Sequence, residues 1–218
     1  MGQKAHPFGL RLGSFYSWKS RWFASGKDYI KFVHEDLHLR QVLQDKLKMA
    51  GLVKLEIERS INTITIFLFV SRPGVVIGRG GSGVEEIKRL IHQELKINPK
   101  DPRSMKVELK VEEVKTPDLS ARLVAQRLAD QLIKRYPHRR AINQALDKIM
   151  EAGANGAKIV LAGRIGGAEI SRSEKYARGS VPAQTLRAHI DYADLPALTR
   201  SGYVGIKVWI YKRDGVIK

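Results

Sequence analysis

The sequence predicts an α+β protein with two domains, and the pattern of its apolar residues supports this fold class. Over residues 39–114 the pattern changes between helical spacing and strict alternation, which predicts the order helix, strand, strand, helix, strand. Over residues 115–218 it predicts two helices followed by four strands. A chain of 218 residues, of which 43% are hydrophobic, is long enough to form two ordinary domains.

The first predicted domain is a three-stranded sheet backed by two helices. Its first helix is expected over residues 28–50, with a break near Glu35 and Asp36. Residues 1–38 would then comprise a basic arm and the start of this helix. Two strands follow, and a third strand alternates over residues 105–112.

The main functional motif of the first domain is a glycine-rich stretch at residues 73–83, Pro-Gly-Val-Val-Ile-Gly-Arg-Gly-Gly-Ser-Gly. It opens directly into the second helix, and the capping-box spacing of Ser82 and Glu85 predicts that the helix begins at Ser82. Glycines allow a close approach of backbones, since no Cβ obstructs it and positive φ is accessible. The exposed N–H groups and the positive end of the helix favour phosphate, and Arg79 adds a positive charge.

Two motifs fit this turn, and they predict different proteins. Residues 78–81 form a GXXG loop, the backbone clamp of KH domains. The residues predicted to hold RNA there are Ile77, Gly78, Arg79, Gly80 and Gly81. Alternatively, Gly78, Gly80 and Gly83 spell the G-x-G-x-x-G fingerprint of a dinucleotide-dependent oxidoreductase. That alternative needs a strand ending in an acidic residue about 20 positions on. Residues 98–102 in that region read as a loop, so we favour the RNA-binding interpretation.

The element order, with the GXXG loop before the second helix, resembles the type II KH domain that is common in prokaryotes. The resemblance covers residues 39–114 and implies an RNA-binding domain.

The second predicted domain, residues 115–218, places two helices on an antiparallel sheet. Tyr136 and Pro137 separate the helices. The predicted strands are Lys158–Ala162, Ala168–Arg172, Leu186–Tyr192 and Val204–Tyr211. Two further GXXG copies, at residues 153–156 and 163–166, do not precede an amphipathic helix. Each is therefore predicted to be a helix cap or a turn between strands.

The charge balance narrows the function classes. The chain has 39 Lys and Arg residues against 22 Asp and Glu residues, a formal net charge of +17, which predicts a polyanionic partner, either nucleic acid or an anionic membrane. No apolar run approaches the about 20 residues of a membrane-spanning helix, and no signal peptide is evident. The absence of Cys excludes thiolate metal sites and disulfides and is compatible with the cytosol. The six His residues show no metal-ligand spacing, so no cofactor is expected.

Positive charge is concentrated at the break between the two helices of the second domain. Arg139 and Arg140 fall in the first turn of a helix, where the helix dipole disfavours each cation by roughly 0.5 kcal/mol. A solvated run of charges is one interpretation. Because the placement is unfavourable, we favour a phosphate-binding patch that contains Arg135, Arg139 and Arg140.

The N-terminal residues 1–26 interleave basic and aromatic side chains without a helical or strand period. They form either an arm that becomes ordered on RNA, which we favour, or an irregular segment packed on a domain. Residues 171–180 are rich in Arg and Ser and face either RNA or only water. The candidate rRNA contacts are Lys4, His6, Arg11, Arg21, Arg164, Arg172, Lys175 and Arg178.

Ordered matches along the whole chain resemble the family of the third protein of the bacterial small ribosomal subunit. The matching stretches are residues 1–13, 72–78, 163–170, 178–182, 190–192 and 205–210. Several matches in one order are more specific than a GXXG loop alone. The resemblance implies a structural protein without catalytic activity that binds rRNA in the subunit head of cytoplasmic ribosomes.

The resemblance also implies partners. With neighbouring proteins, the family lines the channel by which mRNA enters and helps to unwind it, and Arg139 and Arg140 match its basic pair there. Asn143 stands where the family usually has a third basic residue. The expected partners are small-subunit rRNA, mRNA and neighbouring proteins of the head and the channel, with no membrane and no small-molecule substrate. The remaining alternative is a free-standing KH protein that regulates mRNA or assists DNA repair.

Overall fold

The computed structural model describes residues 4–95 and 105–212 of the chain. The chain divides into two compact units. The GXXG unit is Trp18–Lys115, and the C-terminal unit joins the segment that ends at Ser17 with Thr116–Lys218. Within the described ranges, no helix is both long and apolar enough to cross a membrane. The predicted loop at residues 98–102 lies outside the described residues.

Both units combine helices with strands, as is typical of an α+β protein. In chain order they are α1 (Pro7–Leu10), β1 (Ser20–Arg21), α2 (Gly26–Lys46), β2 (Leu52–Arg59), β3 (Thr63–Val70), α3 (Pro73–Ile77), α4 (Ser82–Glu94), β4 (Lys106–Glu113), α5 (Ala121–Ile133), α6 (His138–Glu151), β5 (Gly156–Gly163), β6 (Arg172–Gly179), β7 (Ile190–Thr199) and β8 (Gly202–Tyr211).

The GXXG unit is a mixed sheet in the order β1-β2-β3-β4 with helices packed against it. Strands β2 and β3 are antiparallel, whereas β3 and β4 are parallel. The alternating apolar residues of β3 are buried against the inner faces of α2 and α4. The predicted α+β order is confirmed, and the two-residue strand β1 adds a fourth, parallel strand beside β2.

The predicted break near Glu35 and Asp36 is wrong, because α2 runs without interruption over 21 residues. The two acids bind Arg59, whose side chain is only 4% exposed and whose nitrogens lie 2.7 Å from Glu35 and 2.6 Å from Asp36. Asp36 also accepts hydrogen bonds from Ser20 and from the indole of Trp22, at 2.9 and 2.8 Å. These carboxylates therefore fix β1 and the segment after it to the sheet rather than ending the helix.

The C-terminal unit is an antiparallel sheet in the order β6-β5-β8-β7, with α5 and α6 on one face. Its core combines apolar residues of both helices with the inward residues of the central strands. Examples, all at most 2% exposed, are Leu128, Ile142, Leu146, Ile159 and Val208. The predicted arrangement of two helices on an antiparallel sheet is confirmed.

Two predicted strands of this unit are misplaced. The strand predicted over Ala168–Arg172 begins only at its last residue, Arg172, and the polar stretch that follows forms β6, which pairs with β5 along its whole length. Because β6 is an edge strand held by backbone hydrogen bonds, its side chains show little apolar alternation. The strand predicted over Leu186–Tyr192 begins only at Ile190 and continues through Pro196, which an edge strand tolerates.

The N-terminal segment packs in the C-terminal unit through Arg11, which has no exposed surface. Its guanidinium donates to the carbonyls of Pro7, Ala183, Thr185 and Ala188 at 2.8–3.0 Å. This corrects the prediction that Arg11 contacts rRNA, because its side chain is buried and already bonded. It also corrects the preference for an RNA-ordered arm, at least for residues 7–17.

Aromatic contacts complete this packing. The rings of Phe8 and Tyr16 stack at 4.9 Å, and the hydroxyl of Tyr16 donates to the carbonyl of Ile190 at 2.9 Å. Burial, followed by the charge of Asp191, raises the pKa of Tyr16 to about 12. The segment is therefore a structural part of the unit.

Replacing Arg11 should destabilise the C-terminal unit. We expect Arg11→Ala to lower its free energy of unfolding by about 2–4 kcal/mol, because four carbonyls, two of them in buried hydrogen bonds, lose a charged donor. Hydrogen–deuterium exchange of peptides covering residues 181–199 measures the loss. Lys4→Ala, at an exposed position of the same segment, is the control and should leave exchange unchanged. Equal protection in both variants would contradict the structural role of Arg11.

Candidate nucleic-acid interface

The GXXG loop lies at the junction of two helices. The short helix α3 ends at Ile77, and a single 3-10 turn over Arg79–Gly81 leads into α4. Gly78, Arg79 and Gly80 are exposed, and Ile77 is 43% exposed. The loop therefore presents backbone, one arginine and an apolar side chain on the surface, as a backbone clamp for RNA requires.

Backbone conformation explains why glycine occupies this loop. Gly78 has φ 68° and ψ −179°, a region that is essentially restricted to glycine, and Gly80 is left-handed at φ 62°. A Cβ on Gly83 would lie 2.4 Å from the carbonyl oxygen of Val76. Gly83 thus allows α4 to start directly against α3, while Gly78 turns the chain between them.

The prediction that α4 begins at Ser82 is confirmed, but the capping box is wrong. Gly81, in the left-handed conformation, is the N-cap residue, and no side chain caps the helix. The hydroxyl of Ser82 instead donates to the carbonyl of Arg79 at 3.0 Å. This bond stabilises the 3-10 turn and leaves Glu85 exposed at the positive end of α4.

The same geometry argues against a dinucleotide site. That fingerprint requires a strand immediately before the glycine turn. Here β3 ends at Val70, and the helix Pro73–Ile77 stands between the strand and the turn. Within the described residues, no cluster of His, Cys, Asp or Glu could hold a metal ion.

The basic patch begins where α5 ends in a Schellman motif. Tyr136 donates its N–H to the carbonyl of Gln131 and Arg135 to that of Leu132, both at 3.0 Å. Arg135 takes the position that is usually glycine, with φ 60°, and it is the one non-glycine residue with positive φ in the described chain. This conformation costs an arginine about 1–2 kcal/mol, so stability alone would favour glycine at this position.

Arg139 and Arg140 lie in the first turn of α6, as predicted, and both are exposed. Pro137 is the N-cap residue, so no side chain caps this end, and the first turn contains no acidic residue. Two like charges thus stand beside the positive end of a helix. Phosphate oxygens placed there would meet both arginines and the helix dipole.

A polar network fixes the start of α6 to the edge strand β6. Glu174 accepts from Tyr176 at 2.7 Å and Arg172 at 2.6 Å, and lies 3.1 Å from the ring of His138. The hydrogen bond from Tyr176, then that from Arg172, lower the pKa of Glu174 to about 2. The carboxylate therefore stays ionised over a wide pH range and orients the first turn that carries the arginines.

The other candidate contacts fall into three environments. Three arginines are partly exposed but form ion pairs. Arg21 pairs with Glu56 and Glu58. Arg172 pairs with Glu174, and Arg178 pairs with Asp147. Arg164 is exposed and donates to the carbonyl of Ala168. His6 caps the N–H of Gly9, and its ring meets Tyr192 edge-on. None of these contacts removes a side chain from the surface as burial removes Arg11.

Lys4 and Lys175 flank a third lysine that the sequence did not single out. Lys158 lies over the ring of Trp209, 5.4 Å from its centroid. Burial, and then the charges of Lys4 and Lys175, lower the pKa of Lys158. The signal missed was strand register, since Lys158 lies opposite Trp209 and two positions before Val160, the partner of Lys175.

These features define a class of protein, an RNA-binding chain with a KH-type unit. A family model described as the KH domain matches residues 38–119, and one described as the C-terminal domain of ribosomal protein S3 matches residues 128–210. The small ribosomal subunit protein uS3 of Persephonella marina is 45% identical over 98% of this chain and 91% of its own length. Those of Bdellovibrio bacteriovorus and Shouchella clausii are 47% and 42% identical over 98% of this chain and 93% and 94% of theirs.

The chain therefore belongs to the family of small ribosomal subunit protein uS3. This confirms the family resemblance drawn from the sequence. It also assigns the chain to a family of structural ribosomal proteins rather than to a class of enzymes.

Two of the three positive-φ glycines of the loop, Gly78 and Gly80, should respond differently to alanine. Gly78→Ala should lower the free energy of unfolding of the GXXG unit by about 2–3 kcal/mol, because the conformation is glycine-restricted and the new Cβ lies 3.0 Å from the nitrogen of Gly83. Gly80→Ala should cost about 1 kcal/mol, because its Cβ would meet open space. Amide exchange in α4 measures both, and a larger effect at Gly80 would be inconsistent with this backbone.

The network at Glu174 predicts a pH-dependent stability. Its folded pKa of about 2 lies below the ordinary value of 4.5, so its stabilisation is complete above that ordinary value and is lost as pH falls toward 2. Glu174→Gln should lower the unfolding free energy by about 1 kcal/mol above pH 5, because solvent screens part of the interaction, and by progressively less in acid. Urea unfolding between pH 3 and pH 7 measures this difference.

Tyr176→Phe is the matched variant for this prediction. It removes the hydrogen bond that lowers the pKa of Glu174 most, and it should therefore reproduce part of the same pH dependence. A destabilisation by Glu174→Gln that is equal at pH 3 and pH 7 would show that the carboxylate charge does not contribute.

Proposed function

We propose that this chain is a structural component of the small ribosomal subunit that binds rRNA in the head and lines the channel by which mRNA enters. The observation that carries the proposal is the exposed pair Arg139 and Arg140 at an uncapped helix start. Its relatives bear the name of a small ribosomal subunit protein, and their similarity extends over 98% of the chain. The partners are rRNA, mRNA and neighbouring ribosomal proteins, and the location is the cytoplasmic ribosome.

Electrostatics supports the assignment of this pair to phosphate. Two adjacent guanidinium groups repel one another, and the positive end of α6 adds to the repulsion. A ribose-phosphate strand removes it, because each arginine can replace a condensed counterion on a phosphate. Arg135, held in a left-handed conformation two residues before the N-cap of α6, extends the same positive surface.

A role in holding and unwinding mRNA follows from the chemistry of these side chains. Arginines at a fixed helix start bind the backbone of a strand without reading its bases. Contacts that favour a single strand draw it away from its pairing partner. The chain thus requires no nucleotide hydrolysis of its own, and we propose no catalytic step.

The GXXG loop supports a second RNA contact, within the other unit. Gly78 and Gly80 allow an RNA backbone to approach the protein backbone, and Arg79 supplies the charge. We assign rRNA to this loop and mRNA to the arginine pair. Further rRNA contacts are proposed for the exposed cations Lys4, Arg164, Lys175 and Arg178, together with His6, Arg21 and Arg172.

The arginine pair should contribute a defined share of the salt dependence. For single-stranded RNA, the slope of log affinity against log salt is about 0.7 per phosphate contact, so Arg139→Ala with Arg140→Ala should reduce its magnitude by about 1.4. Fluorescence anisotropy with a short single-stranded RNA at several salt concentrations measures the slope. The double variant should still be incorporated into small subunits, because these side chains are exposed rather than part of the core.

The control is Lys148→Ala with Lys207→Ala, which removes the same charge from other exposed positions of the C-terminal unit. It should leave the slope nearly unchanged. Asn143→Lys, one turn after Arg139 on the exposed side of α6, should add about 0.7 to the slope. Failure of the arginine double variant to enter subunits would show that the pair contacts rRNA rather than mRNA.

A further inference from the structure

A pocket of about 220 Å³ opens in the C-terminal unit beside the junction of α5 and α6. Its lining includes the apolar side chain of Ile165 and the ring of Tyr136. The arginines Arg135, Arg164 and Arg200 also line it. The sequence alone did not bring these residues together, because they come from the helix break, the β5–β6 connection and the β7–β8 turn.

The charge of the pocket is one-sided. Three of its lining residues are arginines, and no lining residue in the described chain carries a carboxylate. The lining residue His138 contacts one acid, Glu174, which also accepts hydrogen bonds from Tyr176 and Arg172. A ligand with negative charge at the pocket mouth and an apolar, planar body would satisfy both parts of the lining.

We propose that this pocket binds one unpaired nucleotide of a single-stranded RNA, with the base against the ring of Tyr136 and the flanking phosphates against the arginines. The inference rests on the proposed function, since it requires that an RNA strand reach this unit. His138 lines the pocket and directly precedes Arg139, so a strand on the arginine pair passes the mouth. Bases of single strands stack on aromatic side chains with little preference for one base over another.

The geometry favours a strand over a duplex. A paired base is stacked between its neighbours and cannot enter a pocket unless it is turned out of the helix. Gly166 and Gly167 also line the pocket, and an added Cβ on Gly167 would lie 3.3 Å from the hydroxyl of Ser201. A chain that favours an unpaired nucleotide at this point would help to keep mRNA single-stranded.

Two variants of the full-length chain test the pocket. Ser201→Trp fills it without a change of charge, and Arg200→Ala removes one of its guanidinium groups. Each should weaken binding of a short single-stranded RNA by about fivefold to tenfold and leave duplex RNA affinity within about twofold. Lys207→Ala, an equal charge change outside the pocket, is the control and should affect both RNAs alike.

A direct readout is photocrosslinking of an RNA strand that contains 4-thiouridine, mapped by mass spectrometry. We expect a crosslink at Tyr136 that Ser201→Trp abolishes. If both pocket variants bind single strands as the wild type does, while Arg139→Ala with Arg140→Ala weakens binding, the pocket inference fails and the proposed function stands. If none of these variants changes RNA binding, the proposed function fails as well. Binding of uridine monophosphate more tightly than the strand would overturn the assignment to RNA.

Discussion

Mutual repulsion among an excess of 17 positive charges is the constraint under which this chain folds. Inside the units, arginines are surrounded by acceptors: Arg59 meets two carboxylates, and Arg11 meets four carbonyl groups. At the surface, by contrast, like charges are gathered, as Arg139 and Arg140 show. A folded state of this kind is stabilised by whatever polyanion lowers the repulsion, so RNA binding and folding act in the same direction.

The two surfaces that we assign to RNA use backbone geometry in opposite ways. At the GXXG loop, Gly78 takes a conformation restricted to glycine, which lets another backbone approach. At the end of α5, Arg135 takes a position where glycine would be less strained. The loop therefore lacks a side chain at position 78, which leaves its backbone accessible. The end of α5 instead has a strained arginine, which adds a positive charge to the surface. The glycine at position 78 therefore follows from the local backbone, whereas the arginine at position 135 does not.

The success of sequence analysis depended on how local each cause was. Strands β3 and β8 were predictable, because one face of each strand is buried and the other is more exposed, so apolar residues alternate along the strand. The polar edge strand β6 was missed, since its pairing is made by backbone hydrogen bonds that carry no side-chain pattern. The supposed break at Asp36 was wrong for a related reason. Its partner Arg59 lies 23 positions away in the sequence. When that partner is not known, an acidic residue on the inner face of a helix suggests that the helix is interrupted.

The residues of the candidate site also differ in whether their placement has a local or a long-range cause. The position of Arg139 and Arg140 in the first turn of α6 could be predicted, because the helix break that sets it is local in the sequence. Arg11 could not be excluded as an RNA contact, because its acceptors at residues 183–188 are more than 170 positions away. Arg200 reaches the pocket only through the antiparallel pairing of β7 with β8. A lone arginine in a turn predicts only solvent exposure, and it is the fold that makes Arg200 part of the lining of a pocket.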